Sequence, residues 1–126
     1  MPTSYKEMLA AAHAAVPAVT QAEAARLVET AGALIVDVRD GTEVAASGKA
    51  KGALAVARGS LESRADPDSP NHNPEFRKDR PVILYCAGGG RAALAGKTLR
   101  DMGFTDVRNL GGFKDWVAGG GEVERG

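Results

Sequence analysis

The chain passes from an apolar, β-favouring run, Val82–Tyr85, through Cys86 and three consecutive glycines into the alanine-rich start of a helix near Ala92. This pattern predicts a buried strand joined to a helix by a very short loop. A second apolar run, Ala33–Val38, is almost unbroken, which is typical of a strand covered on both faces of a parallel sheet. Strands that alternate with helices predict an α/β domain with a central, mainly parallel sheet flanked by helices.

The other elements follow from capping, spacing and turn signals. We predict a helix from Ser4 to Ala15, a helix from about Gln21 to Thr30 ended by Gly32, a weak strand at Ala53–Val56, a helix from Arg91 to Met102, a strand at Val107–Leu110 and a short helix carrying Phe113 and Trp116. The polar, proline-rich stretch Asp66–Pro74 predicts a loop within the domain. The expected division is an N-terminal helical extension over residues 1–16 and one domain over residues 17–126.

Composition limits the partners and the compartment that we expect. Sixteen Lys and Arg residues balance sixteen Asp and Glu residues among 126, so the overall charge gives no reason to expect nucleic-acid binding. The apolar runs are far shorter than a bilayer span, and a single cysteine cannot form a disulfide within the chain. We therefore expect a cytoplasmic protein that binds neither nucleic acid nor membranes.

The loop after Cys86 has the features of an anion site. Backbone NH groups of a glycine-rich loop can point inward as a nest, and the positive end of the following helix dipole reinforces it. Arg91 stands at the helix start, where the dipole disfavours a cation, and a bound anion would remove that penalty. A lone cysteine is often only a small buried hydrophobe, but three consecutive glycines favour a functional loop. We expect the Cys86 thiol to ionise more readily than a free one.

Three other motifs carry less weight. Gly96-Lys97-Thr98 resembles the end of a phosphate-binding P-loop, yet it lies deep inside a predicted helix instead of at its start. The dinucleotide-type glycine pattern at residues 88–93 lacks its acidic ribose ligand, because Leu110 and Gly111 end the next predicted strand. His13 and His72 are expected to be solvated, and their spacing gives no metal site.

Three charged residues follow the first strong strand. Asp37, Arg39 and Glu43 can form an ion pair that fixes the turn after Ala33–Val38. A structural role for them is favoured over a catalytic one, because perturbed acids occur in both kinds of site. We treat them as structural support for the cysteine loop.

The chain resembles the single-domain rhodaneses, which are sulfurtransferases, from about Val19 to Glu124. The resemblance rests on Asp37-Val38-Arg39 with Glu43, on Gly52-Ala53, on the C-x-x-G-x-R loop from Cys86 to Arg91, on Met102-Gly103-Phe104 with Val107, and on Leu110-Gly111-Gly112-Phe113 with Trp116. It implies a rhodanese-like three-layer domain. It also implies that Cys86 is the nucleophile that carries a persulfide, and that the main chain of Ala87, Gly88, Gly89, Gly90 and Arg91 forms the anion cradle.

The function that this resemblance implies is transfer of a sulfane sulfur from a donor such as thiosulfate to a thiophilic acceptor, cyanide or a thiol. A protein can also be the sulfur donor or acceptor. No metal and no organic cofactor are expected. Arg91 either orients the anionic donor or braces the loop, and the sequence leaves both roles open.

Two other functions compete with sulfur transfer. Cysteine phosphatases and arsenate reductases of related fold resemble this loop, but they usually have five residues between cysteine and arginine, whereas Cys86 and Arg91 are separated by four. The shorter loop should fit one sulfur atom better than a tetrahedral phosphate. The second alternative is a non-catalytic binding module or persulfide carrier on the rhodanese fold, against which Cys86 itself argues.

Overall fold

A four-stranded parallel sheet forms the centre of the molecule in the computed structural model, which describes residues 2–125. The strands in chain order are β1 (Leu34–Asp37), β2 (Lys49–Ala50), β3 (Leu54–Ala55), β4 (Val82–Cys86), β5 (Val107–Gly112) and β6 (Val123–Glu124). The central sheet has the order β3-β1-β4-β5, and all its neighbouring strands are parallel. Strands β2 and β6 form a separate antiparallel pair. The predicted α/β class with a mainly parallel sheet is confirmed.

Within residues 2–125, six α-helices accompany these strands. They are α1 (Tyr5–Ala15), α2 (Gln21–Ala31), α3 (Gly41–Ser47), α4 (Leu61–Ala65), α5 (Gly90–Asp101) and α6 (Phe113–Ala118), and one turn of 3-10 helix covers Arg58–Ser60. The predicted helices at α1, α2 and α5 are present within one residue of their expected bounds, and the predicted short helix is α6, which carries Phe113 and Trp116. Helix α2 ends at Gly32, whose φ of 62° is left-handed. None of the helices within residues 2–125 combines the length and apolar character needed to cross a membrane.

The sheet buries a hydrophobic cluster on each face. Val36 and Leu84 point to one side, where they pack with residues of α4 and α5 and the end of α1. Ile35 and Ile83 point to the other side, where they pack with α2 and with Trp116 of α6. Burial of each such side chain stabilises the folded state by about 1.5–3 kcal/mol relative to leaving it exposed to water. The unbroken apolar runs thus mark strands covered on both faces, as predicted.

Helix α1 packs closely across α5. Its capping box is complete, because the Glu7 NH donates to the Ser4 hydroxyl at 3.1 Å and the Ser4 NH donates to the Glu7 carboxylate at 3.0 Å. Val16, directly after α1, lies against Gly96, where an added Cβ would stand 2.9 Å from a Val16 methyl. The glycine of the P-loop-like triplet therefore serves close packing between two helices.

Parts of the chain differ from the prediction. Helices α3 and α4 and strands β2 and β6 lack predicted counterparts, since elements of two to seven residues show little periodicity. The loop Asp66–Pro74 is present, and Phe76 just beyond it is buried edge-on against Phe104. His13 is exposed as expected. His72 corrects the prediction, because its Nε2 is buried and finds no hydrogen-bond partner within residues 2–125.

Candidate active site

Cys86 occupies the carboxyl end of β4, at the sheet edge where parallel strands present their ligands. Its side chain is 1% exposed and unpaired with any other cysteine. The sulfur accepts a hydrogen bond from the Gly89 NH at 2.9 Å and a longer one from the Ala92 NH at 3.4 Å. Gly89 is the N-cap of α5 and Ala92 lies in its first turn, where the NH groups have no partner within the helix and carry its positive dipole end. The loop therefore offers hydrogen bonds and partial positive charge to a sulfur anion.

The loop fits tightly against the end of β5. Gly89 has a left-handed φ of 101°, which a glycine adopts without strain, and a Cβ there would stand 3.5 Å from the Gly111 Cα. At Gly112 an added Cβ would overlap the carbonyl oxygen of Ala87. Any side chain at residue 112 would therefore displace the cysteine loop from its contact with the end of β5.

Asn109 joins the loop to β5, and the sequence analysis did not identify it. Its amide NH2 donates to the Gly89 carbonyl at 3.4 Å, and its side-chain oxygen accepts from the Gly111 NH at 2.8 Å. The side chain is buried, and the strand pairing shifts register next to it, between Leu84 and Tyr85 of β4. No local pattern reveals this role, because it depends on the register of β4 against β5.

Arg91 points to Glu43 of α3. The guanidinium donates to the two carboxylate oxygens at 2.7 and 3.1 Å, and Asp40 lies farther away at 4.0 Å. This double hydrogen bond, together with the Asp40 NH, lowers the pKa of Glu43 to about 2. The same contact raises the pKa of Arg91. The pair connects the first turn of α5 to α3 beside the cysteine loop.

The predicted Asp37–Arg39 ion pair is present and buried. The Arg39 Nη2 lies 2.7 Å from the Asp37 carboxylate and donates at 2.7 Å to the Gly48 carbonyl, while Nη1 donates to the Ser47 hydroxyl at 2.8 Å. Both side chains are at most 4% exposed. Glu43 lies outside this network, contrary to the prediction, because its carboxylate binds Arg91 instead. Asp37 and Arg39 thus fix the chain after β1. Glu43 instead holds Arg91, at the start of α5 beside the cysteine loop.

Tyr85, the residue before Cys86 in β4, joins this buried network. Its hydroxyl donates to Asp37 at 2.6 Å and accepts from the Ala50 NH at 3.0 Å. Burial and the hydrogen bond to Asp37 raise the pKa of this phenol, so it stays neutral. Its ring stacks on Phe113, over which the Arg39 guanidinium sits at 4.4 Å from the ring centre. The signal available in the sequence was one tyrosine in an otherwise aliphatic strand.

We expect Tyr85→Phe to lower the free energy of unfolding by about 1–3 kcal/mol, because the buried Ala50 NH loses its partner and one Asp37 oxygen loses one of its donors. Urea unfolding measures the change. The matched control is Tyr5→Phe, the same substitution at the chain's other tyrosine, which is 62% exposed. The control should stay within about 0.5 kcal/mol of the wild type. Equal effects of the two substitutions would contradict the buried network.

The Glu43–Arg91 pair has a defined pH dependence. Because the pKa of Glu43 falls from its ordinary range to about 2 on folding, its contribution to stability is complete above the unfolded value and is lost as the pH falls through about 2. We expect Glu43→Gln to lower the melting temperature near neutral pH, and the gap to the wild type to narrow below about pH 4. Glu29→Gln, at an exposed position of α2, is the control. A gap that does not change with pH would contradict the ion pair.

One side of the loop is open to solvent. Ala87 and Gly88 are exposed, and an added Cβ at Gly88 would meet no atom within 4 Å. A small molecule or a partner protein can reach the loop from this side. Among residues 2–125, no three His, Cys, Asp or Glu side chains converge as metal ligands would.

Comparisons with known proteins agree with this geometry. Residues 20–119 match the rhodanese-like domain family. A sulfurtransferase of Allochromatium vinosum is 33% identical over 96 residues, which are 75% of this chain and 81% of that protein. The uncharacterized protein YqhL of Bacillus subtilis is 37% identical over 93 residues, or 73% of this chain, and the match spans 64% of its own length.

A solved structure from Rhodopseudomonas palustris is similar over nearly the whole chain. It is 40% identical, has a TM-score of 0.87, and covers 98% of this chain and 99% of its own. That protein is described as being of unknown function and a possible tyrosine phosphatase. The residues that match the family, 20–119, include the central sheet, the cysteine loop and its supporting network. The 126-residue chain therefore belongs to the rhodanese-like domain family.

Proposed function

We propose that the protein is a sulfurtransferase in which Cys86 carries a sulfane sulfur as a persulfide. The observation that supports this most is the position of the Cys86 sulfur, which accepts the Gly89 and Ala92 NH groups at the start of α5. A thiolate in this position is stabilised before it reacts, and the terminal sulfur of a persulfide is an anion that the same loop can hold. The relative named as a sulfurtransferase supports the same reaction class.

The reaction has two displacement steps. The Cys86 thiolate attacks the outer sulfur of thiosulfate, a new sulfur–sulfur bond forms, and sulfite leaves with the electron pair of the bond that breaks. The terminal sulfur of the persulfide is then attacked by cyanide or by a thiolate, and Cys86 leaves as a thiolate. Each step conserves charge and needs no external electron source. Reduced thiols of the cytoplasm are suitable acceptors, so we place the reaction there.

We assign Arg91 to bracing the loop. Its two hydrogen bonds to Glu43 use the planar fork that would otherwise bind an anionic donor. The positive charge of the Arg91 guanidinium still acts on the cysteine loop while the side chain is bound to Glu43. Asp37, Arg39 and Tyr85 act at a greater distance, by fixing the strand ends that carry the loop.

Phosphate-ester hydrolysis is the second candidate, because a structure 40% identical to this chain is described as a possible tyrosine phosphatase. Four residues separate Cys86 from Arg91, and the arginine is bound to Glu43 and not directed into the loop. Both features favour a single sulfur atom over a tetrahedral phosphate as the bound group.

Assaying one preparation with two substrates separates the candidates. We expect the wild type to transfer sulfur from thiosulfate to cyanide and to leave an aryl phosphate unhydrolysed. Aryl phosphate hydrolysis without sulfur transfer would overturn the proposal in favour of a phosphatase. If neither substrate reacts and no donor loads Cys86, the binding-module alternative replaces it.

A further inference from the structure

Helix α1 begins beside the cysteine loop. Tyr5 is its first residue, and a Cβ added at Gly90 would stand 2.8 Å from the Tyr5 hydroxyl and 3.9 Å from a Leu9 methyl. Gly90 opens helix α5 and is absent from the glycines with positive φ, so its backbone does not require a glycine. A side chain at residue 90 would meet the Tyr5 hydroxyl, so Tyr5 would have to shift to make room for it. The backbone of Gly90, the third glycine of the loop, therefore lies close to the hydroxyl of Tyr5, a residue outside the loop.

The environment of Tyr5 suits contact with a substrate. The side chain is 62% exposed, although its hydroxyl lies against the first residue of α5. A phenol is a neutral donor that can approach an anion without adding charge, and it brings a rigid ring to the site. Ala87 and Gly88 of the same loop are exposed. Tyr5 therefore stands next to the last glycine of a loop that solvent reaches.

We propose that Tyr5 is a specificity-determining residue, whose hydroxyl donates a hydrogen bond to an oxygen of a small anionic sulfur donor and whose ring limits the donor's size. This inference rests on the proposed sulfur transfer. Tyr5 lies outside the family match, which begins at residue 20. The N-terminal helix of this chain thereby completes a site whose other parts belong to the shared domain.

The test follows loading of Cys86 in single-turnover experiments by intact-protein mass spectrometry, using thiosulfate and the bulkier benzenethiosulfonate as donors. We expect Tyr5→Phe to slow loading by thiosulfate about threefold to tenfold, the range for loss of one typical hydrogen bond. Tyr5→Ala should slow thiosulfate similarly but favour the bulky donor, so that the ratio of the two loading rates changes about tenfold. A purely structural role for Tyr5 would slow both donors equally.

Met8→Ala is the matched control, since Met8 is an exposed residue of the same helix at 46% exposure. It should load both donors within about twofold of the wild type, as expected for surface substitutions. A second variant, Gly90→Ala, should slow loading because its methyl group meets Tyr5, and adding Tyr5→Ala in the same chain should bring the rate to that of Tyr5→Ala alone.

Two results overturn the inference in distinguishable ways. If Tyr5→Phe and Tyr5→Ala load both donors at the wild-type rate, Tyr5 has no role in specificity and the proposed sulfur transfer stands. If the wild type itself loads neither donor, the proposed function and the role of Tyr5 both fail.

Discussion

Cys86→Ser is expected to abolish sulfur transfer while leaving the fold intact. A hydroxyl is close in size to a thiol and can accept the Gly89 NH that now binds the sulfur, so the loop keeps its contact. It cannot form a persulfide, and loss of a covalent nucleophile lowers turnover by about a thousandfold or more. The measurement is the rate of thiosulfate-to-cyanide transfer, with the melting temperature as the check on folding.

The chain supplies its own control for this experiment. Cys86 is the only cysteine, so wild-type protein alkylated with iodoacetamide must lose the same activity by chemical blockade. Both samples should also fail to gain mass from thiosulfate. Substantial turnover in Cys86→Ser would show that another group carries the sulfur.

Asp37→Asn is expected to lower the free energy of unfolding by about 3–5 kcal/mol, the range for removing one partner of a buried ion pair. The substitution hardly changes the side-chain volume, but it leaves the Arg39 guanidinium, 4% exposed, without a counter-charge. It also replaces a carboxylate oxygen that accepts the Tyr85 hydroxyl. The effect should therefore exceed that of Tyr85→Phe, which removes two hydrogen bonds and no charge.

An exposed pair provides the comparison for Asp37→Asn. Asp79 pairs with Arg77, and their side chains are 76% and 58% exposed. Asp79→Asn should change stability by less than about 0.5 kcal/mol, because solvent screens exposed ion pairs. Urea unfolding of both variants measures the difference. Similar losses in the two variants would refute the structural role assigned to the Asp37–Arg39 pair.

The strand, the cysteine loop and the following helix could be predicted from local sequence. Continuous apolar runs mark β1 and β4, and the glycines after Cys86 mark a turn that needs unusual backbone freedom. The same local reasoning identified the capping box from Thr20 to Glu23 that starts α2. Each of these signals lies within a few residues of the feature it predicts.

The contacts that support the loop could not be predicted in this way. The Glu43–Arg91 and Asp37–Tyr85 partners are each 48 residues apart, so their contact depends on strand order and register. Asn109 contacts the loop only because β5 lies beside β4. Sequence patterns placed Glu43 with the nearer cation, Arg39, whereas the fold brings Arg91 closer to it.

The central claim is that Cys86 carries sulfur, and intact-protein mass spectrometry after exposure to thiosulfate tests it most directly. We predict the mass of one added sulfur, located at Cys86 by peptide mapping, removed by cyanide and absent from Cys86→Ser. Wild-type protein that gains no mass from thiosulfate, while its Cys86 remains free to react with an alkylating agent, would contradict the account.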